Sequence, residues 1–477
     1  MQDIFITYDI TIVIIFLIPF KKNYLNYNKL KIIKQRLFLK NERSKTLSKE
    51  IILSFTFKIS GLLANFLLVP ITINYLSEEN YGIWLTLTSF ISWFTFFDAG
   101  LGNGLRNKFT EARAEKNEFL VQAYVSSAYF TIALISIILI LTFLIINPFI
   151  DWSVFFNTSN DKHLGLLMPI VFSFFSIQLV LKLITTIYTA DQKPSVVNLT
   201  QFLTQVFNLC FVWILTQTPQ DSLLIYGLIF SLTPVLILLI FNIYGFRNRY
   251  KNYRPILKLW KVKYLKGITG LGLQFFILQI AAIVLFSTDN IIISKLFSPE
   301  EVVPYNLSYK YFSICIIGFS VIVTPFWSSF TDAYSKDELN WIKKAIKNLV
   351  KFWFLIPVIL FFMILLADYF YKIWIGDKIV ISNYLNYAMA FFVLITTFNT
   401  IFVFFINGVG KIRIQLISAI VSVIINIPLS VFFAQTLKFG IVGVILSTCV
   451  CTLYLSILLP IQYHKIINKK ARGIWNK

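Results

Sequence analysis

The sequence predicts an all-α integral membrane protein, built as two six-helix bundles related by a parallel pseudo-repeat. Three observations predict it. The 477 residues are 57% hydrophobic, with mean hydropathy +0.74. Their apolar residues fall in runs of ~20, the length that crosses ~30 Å of hydrocarbon. The formal charge of +21 sits between those runs. A short acidic turn recurs after 221–222 residues.

Taken in order, the apolar runs give twelve spans: 51–74, 81–103, 120–146, 166–188, 196–217, 223–246, 267–296, 303–325, 348–367, 384–406, 413–434 and 440–462. Lipid cannot satisfy an open strand edge, so each run is expected as a helix. Residues 4–20 form a shorter run that contains Asp9. The basic residues follow this run from Lys21 instead of preceding it, unlike a secretory signal. Two readings stay open there: a thirteenth span, or an extension at the membrane surface.

The basic residues set the topology. With the segment before residue 51 placed in the cytoplasm, 34 of the 43 Lys and Arg fall on that side. Ten lie in 21–49 and eight in 247–266, while only Lys162, Lys372, Lys378 and Lys438 fall outside. The positive-inside rule then puts both ends of the core in the cytoplasm. Residues 21–49 read as a segment drawn to anionic lipid. A charge distributed by topology gives no reason to expect a nucleic-acid partner.

The repeat gives the domain reading. Leu76-Ser77-Glu78-Glu79 precedes Tyr81, and Phe297-Ser298-Pro299-Glu300-Glu301 precedes Tyr305. Both turns follow the first span of a six-span block, so the blocks share one orientation. Parallel repeats of this kind place a substrate site between the halves. The expected units are an extension (1–49), a first bundle (50–246), a basic cytoplasmic linker (247–266), a second bundle (267–463) and a basic tail (464–477).

Five Lys lie inside spans: Lys58, Lys182, Lys295, Lys310 and Lys351. A charge at the bilayer centre costs ~2.5–3.5 kcal/mol on insertion scales. Lys182, Lys351 and Lys295 sit near span ends, where a long stem can snorkel to the interface. Lys58 and Lys310 lie about two turns in, on the leading helices of the two halves, and are candidates for a substrate cavity. Asp289 is too short to snorkel far and is followed by Asn290, so the pair reads as a polar cavity patch. A salt bridge across the cavity is the structural alternative for Asp289.

The segment Asp98–Asn107 carries Gly100, Gly102 and Gly104. It reads either as a helix end with Arg106 complementing the dipole, or as a cytoplasmic gate in which Asp98 and Arg106 pair and separate. Pro70, Pro234, Pro325, Pro357 and Pro428 can kink their spans. Asn65, Asn208, Gln274, Gln279, Asn399 and Asn426 are uncharged candidates for the cavity or for helix contacts. Cys210, Cys315, Cys449 and Cys451 lie in apolar runs and are expected as buried small hydrophobes. Neither these cysteines nor His163 and His464 have metal-ligand or catalytic-triad spacing. No cofactor is expected.

From about residue 45 to 463 the chain resembles the polysaccharide and O-antigen flippases of the multidrug/oligosaccharidyl-lipid/polysaccharide exporter superfamily. The resemblance rests on Leu76–Gly82, Asp98–Asn107, Asp289-Asn290 with Ile291–Leu296, Pro325-Phe326-Trp327, and Asn407-Gly408-Val409-Gly410-Lys411. Each piece is short; their order relative to the spans carries the likeness. It implies a MATE-like fold of two bundles facing each other in a V, and a non-enzymatic transporter of the bacterial inner membrane. Alternating access would move an undecaprenyl-pyrophosphate-linked oligosaccharide to the periplasmic leaflet. Membrane lipids and the polysaccharide polymerase and chain-length machinery are the partners it implies. Lys58 and Lys310 are then candidates for the pyrophosphate. A multidrug or small-molecule antiporter and a membrane enzyme remain as alternatives. The first would favour an anionic or apolar cavity, and the second a catalytic base or a large external domain. Coupling to Na⁺ or H⁺, with Asp289 or Asp98 as the site, stays open.

Overall fold

The computed structural model describes residues 42–98, 101–158, 163–191, 193–218, 221–269, 280 and 287–476. The surface extension or extra span expected at 4–20 lies outside these residues, as do Gln274 and Gln279. The described chain is helical, with no strand among the described residues.

The helices of the first half are α1 (Glu42–Tyr75), α2 (Glu78–Ser92), α3 (Leu101–Ala114), α4 (Glu118–Ile146), α5 (Trp152–Phe156), α6 (Leu164–Leu181), α7 (Leu183–Ala190), α8 (Pro194–Leu215) and α9 (Leu223–Arg247). The linker carries α10 (Val262–Thr269). After the helical residues 287–296 come α11 (Pro299–Ser335), α12 (Leu339–Trp353), α13 (Leu355–Ile375), α14 (Asn383–Val409), α15 (Arg413–Val431), α16 (Ile441–Leu453) and α17 (Leu455–Ile467). Ten spans among the described residues are long and apolar enough to cross a membrane. The protein is therefore a multi-pass membrane protein.

The two expected spans missing from those ten are 81–103 and 267–296. Most of the latter lies outside the described residues. The former is broken: α2 ends at Ser92, residues 93–98 form a 3₁₀ segment, and α3 restarts at Leu101. Gly102 and Gly104 fall inside α3, so the glycines do not account for the break, which lies in the aromatic stretch 93–98. Three other spans are each two helices joined by a single turn residue of right-handed helical backbone: α6 to α7 at Lys182, α12 to α13 at Phe354, and α16 to α17 at Tyr454.

Local chemistry sets the ends. Ser77 caps α2 by accepting from the Asn80 amide, and Glu78 and Glu79 sit favourably at the positive end of the helix dipole. Asp221, at the start of α9, accepts from the Ser77 amide at 2.8 Å and from Asn80 Nδ2 at 2.5 Å. This ties two loops of the first half together. Gly410 closes α14 with φ +71°, a backbone angle that favours glycine. On the basic face, Asp191 is buried and pairs with both Arg113 and Arg249. It also accepts from Tyr250 at 3.0 Å, locking the start of the linker onto the first bundle.

The core divides unevenly. One apolar cluster joins the halves near the acidic turns, running from Leu68, Ile83 and Phe172 in the first half to Ile293, Phe312 and Phe392 in the second. A separate cluster around Phe109, Val125, Ile184 and Tyr250 serves the basic face of the first bundle alone. Exposed rows such as Ile137, Ile138, Leu141 and Ile145 on α4, and Phe361, Phe362, Leu365 and Leu366 on α13, are too extensive for a water-facing surface and suit lipid.

Candidate functional site

A cavity of about 300 Å³ lies between the halves. Thr88, Ser89 and Ser92 of α2 form its first-half wall. Asp289 and Asn290, with Asn306 and Tyr309 of α11, Phe392 of α14 and Thr448 of α16, contribute from the second half. Asp289 and Asn290, singled out in the sequence, both line this cavity. Among the described residues its lining carries one carboxylate and no Lys or Arg.

Hydrogen bonds organise the wall. Asn290 Nδ2 donates to Ser89 Oγ at 2.8 Å, across the two halves. Asn306 Nδ2 returns a bond to Asn290 Oδ1 at 2.8 Å. Ser92 and Ser287 bridge the halves again at 2.8 Å. Asp289 is 4% exposed and accepts from the Tyr305 hydroxyl through Oδ2. Its Oδ1 is buried with no hydrogen bond of full geometry, and the Thr448 hydroxyl stands beside it. Among the described residues no basic group pairs with it. A buried acceptor left unpaired costs ~1–3 kcal/mol, more when charged.

Towards the acidic turns the halves are sealed, and α2 packs along α11. A Cβ built on Gly82 would lie 1.7 Å from the Pro299 carbonyl oxygen. The two repeat turns therefore meet backbone to backbone at this point. Asn157 Nδ2 donates to the Phe297 carbonyl at 2.8 Å, and Ser294 Oγ to the Phe156 carbonyl at 2.7 Å. Lys295 Nζ donates to the Val154 carbonyl at 2.6 Å. Lys295 thus bridges the halves, in place of the snorkelling expected for it. Glu78 faces Glu300 and Glu301 here. Burial, then the two neighbouring carboxylates, raises its pKa above the ordinary value.

Lys310 sits one turn beyond Asn306 on the same face of α11. It is half-buried, and its ammonium has no hydrogen-bond or ion-pair partner among the described residues. Lys58 is exposed and likewise unpaired. Helical spacing puts Lys58 with Leu62 and Asn65, away from the outward Leu63 and Leu67 at 60% and 59% exposure. Asn65 donates to Gln205 of α8 at 3.3 Å. Gln201, Gln205 and Asn208 follow at i, i+4 and i+7, so α1 and α8 share a polar stripe that includes Lys58.

The Asp98 side chain lies outside the described residues, so the expected Asp98–Arg106 gate has no described geometry; Arg106 itself is exposed. Asn399 and Asn426 serve contacts within the second half, to the Thr452 carbonyl at 3.0 Å and the Thr448 hydroxyl at 3.1 Å. Cys210 is exposed, contrary to the burial expected of all four cysteines, because it lies on the outward side of α8; the other three are buried. The sequence does not single out Ser89, Asn306 and Gln205, and marks Tyr305 only as part of the repeat turn. Their polar spacing on α2, α8 and α11 was the available signal.

Comparisons with known proteins agree with this architecture. Residues 47–331, more than half of the chain, match the family model described as polysaccharide biosynthesis protein. The chain is 23% identical over 422 residues to a provisionally named O-antigen export protein of Yersinia pseudotuberculosis, covering 85% of this chain and 92% of that one. It is 23% identical over 394 residues to a provisionally named O-antigen transporter of Salmonella typhi, covering 79% and 86%. Among solved structures it is similar to an inward-facing multidrug resistance MATE family transporter of the MOP superfamily. That match has TM-score 0.72 and 14% identity, and covers 88% of this chain and 98% of that one. The fold is MATE-like, and the chain belongs to the polysaccharide biosynthesis protein family.

Proposed function

We propose that this protein is a flippase that moves a polyprenyl-pyrophosphate-linked oligosaccharide across the bacterial inner membrane by alternating access. The acidic-turn face is the periplasmic gate, closed here, and the basic face is cytoplasmic. The observation that carries this reading is the pair of unpaired ammonium groups, Lys58 and Lys310, on the leading helices of opposite halves of a transporter fold. Cations kept in a membrane without partners serve an anionic ligand. A pyrophosphate meets that need, and its attraction to them is stronger away from bulk water. The export and transport names of the Yersinia and Salmonella relatives support a polysaccharide cargo. Delivery to a polysaccharide polymerase and its chain-length machinery would follow. Coupling to Na⁺ or H⁺ would act through a carboxylate in a span, Asp98 or Asp289.

Asp289 also supports a second reading, an antiporter of cationic small molecules, because a cavity with one carboxylate and no basic group favours a cation. Deletion in the native host separates the two. A flippase deletion removes surface polysaccharide and accumulates lipid-linked repeat unit. An antiporter deletion leaves the polysaccharide intact and raises drug sensitivity. Within the flippase reading, Lys58→Ala and Lys310→Ala are expected to lower surface polysaccharide at unchanged protein level. Normal polysaccharide in the double variant would overturn the cationic-cavity assignment.

A further inference from the structure

The cavity at Asp289 and Asn290 does not suit the pyrophosphate. Among the described residues its single charged group is a carboxylate, 4% exposed, and an anion beside it at low dielectric would be repelled. What the cavity does offer is hydrogen-bonding capacity around a ring-sized space. Asp289 Oδ1 is a buried acceptor with no hydrogen bond of full geometry, beside the Thr448 hydroxyl. Asn290 and Asn306 present their amide oxygens as acceptors, because their N–H groups are taken by Ser89, by each other and by the Val302 carbonyl. Tyr309 and Phe392 stand beside them with ring centroids 6.2 Å apart. Hydroxyl donors for the carboxylate and the amide oxygens, and an apolar face for the aromatics, are together the chemistry of a sugar ring. A volume of about 300 Å³ is at the lower end of small-ligand sites, enough for one ring and too small for a repeat unit.

We propose that this cavity is the sugar-recognition subsite of the transport path, separate from the Lys58 and Lys310 cations, and that it exists only while the periplasmic gate is closed. The proposal rests on the flippase reading above. Its second part follows from the division of the wall. Ser89 and Ser92 belong to the first half and Asn290 and Ser287 to the second, and their bonds cross between the halves. Opening at Gly82 and Pro299 draws α2 away from α11 and removes one side of the subsite. The sugar is held in the closed state and released as the gate opens.

The test uses the full-length protein in lipid nanodiscs and two probes. One is the lipid-linked repeat unit isolated from the native host; the other is the same polyprenyl pyrophosphate without sugar. Wild-type protein is expected to bind the sugar-bearing lipid at least about tenfold more tightly, the worth of one charge-assisted hydrogen bond. Asn290→Ala with Asn306→Ala, and separately Asp289→Asn, are expected to collapse that ratio towards one. Gly82→Leu, which forces the gate, is expected to do the same without touching the subsite. Equal binding of the two probes by wild-type protein overturns the subsite and leaves the flippase reading standing. Failure to bind either probe overturns both. Variants that weaken both probes equally preserve the ratio and overturn the assignment of these residues; thermal melting separates that result from misfolding. A ratio that depends on Na⁺ and ignores Asp289→Asn reassigns Asp289 to the ion.

Discussion

Gly82 offers a direct test of the closed gate. Replacing it with Ala places a methyl group 1.7 Å from the Pro299 oxygen and 2.3 Å from its carbonyl carbon. Ordinary contact begins near 3.4 Å, so the two backbones must part by well over 1 Å. The obstacle is main chain, and no side-chain rotation can relieve it. Overpacking of this kind costs ~1–3 kcal/mol. Spent against the closed state alone, that shifts the closed-to-open equilibrium by ~5–150-fold. Labelling of Ser89→Cys by a membrane-impermeant thiol reagent, in a background where the exposed Cys210 is replaced, reads the shift. Gly82→Ala is expected to raise labelling from the periplasmic side, and Gly82→Leu to raise it further. Labelling that stays at the wild-type level in both, with both variants folded, would refute the reasoning.

The raised Glu78 pKa makes the same gate sensitive to pH. Its proton is held more tightly in the closed state than when the gate is open and Glu300 and Glu301 have moved away. The stabilisation is therefore complete below the ordinary value of 4.5 and is lost as pH rises through the raised one. Periplasmic labelling of Ser89→Cys should increase with pH over that window, and Glu78→Gln should flatten the profile. Lys58→Ala and Lys310→Ala each remove a charge-assisted contact worth ~1.5–3 kcal/mol, so binding of sugar-free polyprenyl pyrophosphate should weaken by about tenfold or more in each. Asp191→Ala leaves Arg113 and Arg249 without their shared carboxylate. Because both arginines are 43% exposed, the loss is about 1 kcal/mol, visible as a lower melting temperature with little change in lipid binding.

The sequence made the spans legible because they follow from a bulk property, the length of the apolar runs. The repeat turns were legible as a motif. That Gly82 and Pro299 meet was not, since the contact joins residues far apart in the chain and depends on how the bundles lean together. The same holds for Lys295. Its position at a span end suggested snorkelling, and only the fold brings the Val154 carbonyl within reach. Asp289 and Asn290 stood out because polar residues are costly inside an apolar run. Ser89 and Asn306 did not, because Ser and Asn on α2 and α11 also serve ordinary helix contacts. The helix break after Ser92 was obscured by the continuous apolar run through Phe97.

The central claim is that this protein carries a lipid-linked oligosaccharide from one leaflet to the other. It is tested most directly in proteoliposomes holding the lipid-linked repeat unit of the native host. A membrane-impermeant oxidant then reports how fast the sugar reaches the outer leaflet. The account predicts transfer much faster than in protein-free vesicles, and slowed by Lys58→Ala with Lys310→Ala. Transfer at the protein-free rate by folded wild-type protein, under imposed Na⁺ and H⁺ gradients of either direction, would contradict it.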